Sequence, residues 1–216
     1  MNDMKELHKF ESAASKCTRT RRTGKTQVWR KDGSAWWDGF VICGQIWACM
    51  VCAYRIAVQR GKEVQAVIQA VRHAGGDVYH VVFTMPHDRR DDLKEMRQAV
   101  TKAHTKTVSG RPWKKIKHDL GIIGWVRALE VTHGWFGWHP HLHILLFTRH
   151  PLSQAQIDVL WQFLYERWSE AIVAAGYRSP HPKHGLVISH GKDAGHYVTK
   201  ICNQGLAAEI SQTDSK

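Results

Sequence analysis

Between Glu130 and Phe147 the chain reads EVTHGWFGWHPHLHILLF. Successive side chains of a strand point to opposite faces, so His139, His141 and His143 share one face while Leu142, Ile144 and Leu146 take the other. That alternation suits a strand with an aliphatic face on a core and a polar face turned away from it. Trp135 and Phe136, set between Gly134 and Gly137, form a two-residue hairpin loop. The loop fixes the register and puts Glu130 directly opposite His141, with same-face Cβ atoms about 5 Å apart. Two imidazoles and a carboxylate make a compact donor set with open positions for water or a phosphate oxygen. Such a set takes Mg²⁺ or Mn²⁺ and would also accept Zn²⁺. His139 is an alternative third ligand, or a partner for the carboxylate.

The rest of the chain supplies a sheet for this hairpin and helices to cover it. Val64, Val67, Ile68 and Val71 lie on one face of a helix over Cys52–Ala74 that Gly75-Gly76 stops. Tyr79–Thr84 is short, β-branched and aromatic, and reads as a strand closed by Pro86. Leu93, Met96, Val100, Ala103 and Thr107 mark a second amphipathic helix. Strands follow at Ile122–Thr132 and Trp138–Thr148. Ser153 caps a long helix with Ile157, Leu160, Leu164, Trp168 and Ile172 on its core face, ending at Gly176. Leu186–Ser189 reads as a strand and Asp193–Gln204 as a final helix, while Trp36–Ile42 is strand-like. The pattern predicts an α+β fold, a central antiparallel sheet of about five strands flanked by helices.

Composition narrows the partner. Lys and Arg number 31 against 19 Asp and Glu, a formal charge of +12, so a polyanion is the expected ligand. With 43% hydrophobic and 23% charged residues the chain is a folded globule and not a polybasic tail. The stretch Phe40–Tyr54 is broken by Gly44 and Gln45 and is too short for a membrane span, and MNDMKELHKF has no apolar signal region. Cys43, Cys49 and Cys52 are crowded, and Cys17 can supply a fourth thiolate for a structural Zn²⁺. Such usage fits a reduced, cytoplasmic setting, and Cys202 reads as core. Residues 1–35 read as a solvated basic arm. Trp36, Trp37, Trp113, Trp125, Trp135 and Trp138 outnumber what a core requires near turns; Trp135 and Phe136 are candidates for stacking on unpaired bases, Trp125 and Trp168 for the core. Arg111, Lys114, Lys115 and Lys117 of RPWKKIKHD are predicted to lie on a phosphate-tracking loop.

One further segment carries chemistry. In GKDAGHYVTK, Asp193, Tyr197 and Lys200 fall along one helical face. A phenol can act as a covalent nucleophile, a lysine can offset phosphate charge, and a carboxylate can take a proton or orient the attacking group.

Together these segments resemble the HUH endonucleases, whose His-hydrophobe-His pattern stands here as His141-Leu142-His143, and among them the replication initiator (Rep) proteins of rolling-circle plasmids. GWHPHLHILLF is similar to their second motif, YVTK (Tyr197–Lys200) to their third, and VVFTMPH (Val81–His87) to their first; Thr84 and His87 of that motif join the DNA-binding candidates. The resemblance spans about residues 15–205. It implies an antiparallel sheet with a divalent metal (Mg²⁺ or Mn²⁺) on His141, His143 and Glu130, and attack by Tyr197 on single-stranded origin DNA. The products would be a 5′-phosphotyrosyl enzyme and a free 3′-hydroxyl for rolling-circle replication, with Lys200 at the phosphate. Asp193 stands where some relatives carry a water-activating glutamate. The cysteines before CAYRIAVQR are similar to those of related Rep proteins, which supports zinc. On this reading residues 1–55 are the arm and cysteine element packed on the main domain, 56–205 the catalytic domain and 206–216 a flexible tail. A host helicase and polymerase are the expected partners, and no membrane. The same catalytic set serves transposases and relaxases; a non-catalytic zinc-stabilised nucleic-acid-binding module and a metal-water phosphoesterase are further readings.

Overall fold

The computed structural model describes residues 13–46 and 48–191. The predicted helix over Asp193–Gln204, with Asp193, Tyr197, Lys200 and Cys202, and the tail over 206–216 lie outside them. The described chain falls into two units, divided between Glu63 and Val64.

In the first unit β1 (Gln27–Lys31) pairs antiparallel with β2 (Ser34–Asp38) to form a two-stranded ribbon. The ribbon turns at Asp32-Gly33, with φ of 50° and 77°. Both values are left-handed, the signature of the tight turn whose twist matches that of paired strands. Part of the expected solvated arm is thus a strand, with the β1 side chains exposed. Of the strand-like run at Trp36–Ile42, Trp36–Asp38 lie in β2 of this ribbon, and Phe40 makes an isolated bridge with Arg21. The helix α1 (Met50–His73) follows, and Gly75 ends its last turn at φ +81°.

The second unit is built on a four-stranded antiparallel sheet in the order β4-β5-β3-β6, formed by β3 (Asp77–Thr84), β4 (Ile122–Gly134), β5 (Gly137–Thr148) and β6 (Leu186–His190). Where about five strands are expected, four are present among the described residues. The helices are α2 (Leu93–Thr107), α3 (Gly110–Asp119), α4 (Gln154–Val173) and the short α5 (Pro182–Gly185).

Tyr79, Val81 and Phe83 of β3 and Leu142, Ile144 and Leu146 of β5 form one buried face, joined by Met96, Val100, Leu160, Leu164, Trp168 and Ile172 of α2 and α4. Each such side chain contributes about 1.5–3 kcal/mol on full burial. Trp168 packs edge-on to Phe83 and donates its indole N–H to the Thr84 carbonyl at 2.8 Å, so its polar atom is satisfied within the core. Ser153 and Gln156 form a reciprocal capping box that starts α4. The guanidinium of Arg167 bonds the carbonyls of Lys106, Thr107 and Ser109 and ties the α2–α3 junction to α4.

Arg111–Asp119 is not the expected loop: it is α3. Trp113 is only 4% exposed and lies against Trp125 and Phe163, and with Ile116 and Leu120 at helical spacing it packs one face of the segment on the core. Among the described residues no helix is long and apolar enough to cross a membrane.

Candidate metal centre

The face opposite that core carries the polar residues of β3, β4 and β5. The β4–β5 register sets Glu130 opposite His141 and Ala128 opposite His143, as the two-residue loop requires. Gly137 closes the loop at φ +89°, where a Cβ would meet the Arg89 Cα at 3.0 Å. One carboxylate oxygen of Glu130, Oε2, lies 2.9 Å from His141 Nε2 and 2.6 Å from His143 Nε2. The three donor atoms fall within 4.8 Å of one another. Bonds of about 2.0–2.2 Å to one ion separate neighbouring donors by about 3 Å, so small adjustments let a divalent cation take all three. The two-imidazole, one-carboxylate composition suits such an ion and leaves positions for oxygen ligands.

The other ring nitrogens fix how these imidazoles present themselves. His141 Nδ1 lies 3.2 Å from the His139 carbonyl, which can only accept, so a hydrogen on Nδ1 would free Nε2 for a cation in place of its hydrogen bond to Glu130. Buried His143 places Nδ1 at 3.0 Å from Nε2 of His80. Burial, then the neighbouring His143, pushes the His80 pKa down to about 4, so His80 is neutral at pH 7 and can accept from His143. Hydrogen bonds from His141 and His143 hold the Glu130 carboxyl well below the usual range, keeping it a charged donor. His139 stands beside the trio, its ring centroid 5.1 Å from that of His141 and 4.5 Å from that of His87. Burial and then the His141 and His87 charges lower its pKa to about 4.

A second donor set lies in the first unit. The Sγ atoms of Cys17, Cys43, Cys49 and Cys52 lie within 4.8 Å of one another, with Cys17 to Cys52 at 3.4 Å and Cys43 to Cys52 at 3.6 Å. Thiolates around tetrahedral zinc, each at about 2.3 Å, stand about 3.8 Å apart, close to this spacing. All four are free of disulfides. The Cys52 backbone N–H bonds Cys49 and lowers its thiol to about 7, while burial pushes Cys17 up to about 12. A divalent ion would take each cysteine as thiolate and release its proton.

A family described as "Replication protein" matches residues 41–160, more than half of the chain. The chain belongs to that replication protein family. The matched stretch takes in Cys43, Cys49 and Cys52 as well as Glu130, His141 and His143. A Streptomyces lividans protein named "Protein rep" is 28% identical over 212 residues, which covers 81% of this chain and 46% of the relative. A "Neomycin resistance protein" of Streptomyces cyanogenus is 30% identical over 133 residues, covering 50% of this chain and 30% of the relative. The chain thus spans less than half the length of these relatives. No solved structure matches it.

The other residues singled out in this replication protein have varied placements. The Thr84 hydroxyl donates to the His184 carbonyl and so ties β3 to α5. His87 sits against His139. Arg111, Lys114, Lys115 and Lys117 are on α3, which Trp113 anchors on the sheet face opposite Glu130, His141 and His143. Lys115 pairs with Asp119 at 2.7 Å, and the Lys117 ammonium stands 5.5 Å from the Trp125 ring centre. Trp113 and Trp168 are buried and Trp125 partly so, whereas Trp135 and Phe136 are exposed at the hairpin tip, with the Arg89 guanidinium 5.8 Å from the Trp135 ring. Sequence reasoning missed His80. The signal was present in YHVVFT: if Tyr79, Val81 and Phe83 face the core, His80 must face the other way.

Proposed function

We propose that this replication protein nicks single-stranded plasmid origin DNA by attack of Tyr197, in the manner of the rolling-circle initiators. The observation that carries the reading is one carboxylate oxygen within hydrogen-bond reach of two alternate imidazoles, on the sheet of a chain belonging to a replication protein family. A Mg²⁺ or Mn²⁺ ion held by Glu130, His141 and His143 would polarise the scissile phosphate and offset its charge. Tyr197 supplies the phenolic oxygen that bonds to phosphorus. The bond from phosphorus to the 3′-oxygen breaks, the phenolic proton is lost, and the departing oxygen gains a proton. The products are a 5′-phosphotyrosyl chain and a 3′-hydroxyl that a polymerase can extend behind a helicase, in the cytoplasm. Lys200 neutralises the phosphate, and Asp193 takes a proton or orients the attacking group. A Zn²⁺ on the four cysteines is structural in this scheme and takes no part in the chemistry.

The test is incubation of a 3′-end-labelled single-stranded origin oligonucleotide with the protein and Mn²⁺, followed by a denaturing gel. A labelled band carrying the protein, absent with Tyr197→Phe and with EDTA and restored by added Mn²⁺, is expected. Cut DNA with no adduct would overturn the tyrosine step in favour of metal-activated water. An uncut oligonucleotide would overturn nicking altogether.

A further inference from the structure

The β1–β2 ribbon spends three tryptophans where no core needs them. Trp29 is 50% exposed, Trp36 47% and Trp37 67%, and Val28 is exposed beside them. Trp29 and Trp36 are direct cross-strand partners and share one face; Trp37, opposite Val28, is on the other. An isolated two-stranded ribbon is marginally stable in water. This one is fastened at its base, where backbone bonds join Thr18 to Val41 (2.8 Å), Val41 to Thr20 (2.9 Å) and Arg22 to Gly39 (2.6 Å). Those bonds lie beside Cys17 and Cys43, so the four-cysteine cluster anchors the ribbon and the indoles remain outside it.

Its charge is one-sided. Arg19, Arg21, Arg22, Lys25, Arg30 and Lys31 are all exposed, against Asp32 and Asp38, and Asp38 is already 3.7 Å from Arg22. Flat aromatic faces interleaved with surplus cations match a ligand with alternating π-faces and phosphates. We propose that the β1–β2 ribbon is a stacking platform for single-stranded DNA, with the unpaired bases on Trp29, Trp36 and Trp37 and the phosphates on the flanking arginines and lysines. The choice of DNA rests on the reading under Proposed function. A ribbon in a duplex groove presents one face to the base edges, whereas indoles on both faces suit splayed, unpaired bases.

The measurement is fluorescence anisotropy of a labelled oligothymidine about 20 nucleotides long, titrated with the full chain at physiological salt and without added Mn²⁺. It contains no origin and reads no cleavage, so a failed adduct assay and a failed ribbon are separate outcomes. Replacing both facing indoles (Trp29→Ala with Trp36→Ala) is expected to weaken binding by at least about tenfold. The paired Phe replacements should keep most of the affinity, and a duplex of equal length should lose less. Trp37→Ala, on the other face, is the second variant and should weaken binding severalfold. Circular dichroism and zinc content check that each variant is folded. Affinity unchanged in both variants would overturn the proposal. Equal losses on duplex would recast the ribbon as a groove reader. Loss of a self-associated species in sedimentation, with DNA affinity intact, would make it a protein interface.

Discussion

His143 is bonded at both ring nitrogens, to Glu130 at Nε2 and to His80 at Nδ1. If a cation takes Nε2, the hydrogen belongs on Nδ1, and His80 has to accept it. His80 would then act on that cation through His143, by fixing its tautomer and ring angle. Its replacement by Leu is expected to weaken Mn²⁺ binding about 10- to 100-fold, read from the electron paramagnetic resonance signal of free Mn²⁺. His80→Gln, whose amide oxygen can accept the same N–H, should recover part of the loss. Equal Mn²⁺ affinity in parent and His80→Leu would remove the positioning role. Only half of this arrangement is legible in the sequence. Glu130 faces His141 because a two-residue turn dictates it, whereas the His80–His143 contact needs β3 to pair with β5 across an intervening stretch that no local spacing encodes.

At the scale of elements, regular apolar spacing was the dependable guide. The α2 and α4 patterns fall on helices because each apolar stripe has a sheet face to cover. Two elements differ from the expectation. In α3, Trp113, Ile116 and Leu120 stand at helical spacing, but the cations between them suggested a loop. In the N-terminal stretch, VWRK-DG-SAWW carries the Asp-Gly signature of a tight hairpin turn, obscured by its basic surroundings. The start of α1 has a consequence for metal. Cys52 brings the first turn of the helix to the other three thiols, and its N–H lowers the Cys49 thiol to about 7. Elemental analysis of the purified chain is expected to give one Zn²⁺ per molecule, and Cys52→Ser is expected to lose it and part of the helical signal. Full zinc retention by that variant would exclude a four-thiolate site.

For the whole molecule, buried histidines make stability depend on pH. Burial is the leading cause that lowers His80, His104 and His139 from 6.5 to about 4, with charged neighbours adding to it. Above pH 6.5 these groups are neutral in both folded and unfolded chains, and the fold has its full stability. As pH falls from 6.5 towards 4 the unfolded chain takes up protons that the folded chain refuses, so stability falls. Thermal melting is expected to show a lower midpoint at pH 5 than at pH 7, with a shallower drop in His104→Leu, which removes one buried imidazole. A midpoint that does not move would mean these rings protonate without loss of structure. The sequence by itself determined the helices with strong apolar stripes, the hairpin register that opposes Glu130 to His141, and the net positive charge, because period, turn chemistry and composition are local or additive. The tertiary structure decided that His80 supports His143, that Cys17 joins three cysteines far along the chain, and that the α3 cations face away from the Glu130 centre. Those outcomes follow from long-range pairing and burial, which depend on what each strand and helix finds opposite it once the chain has closed.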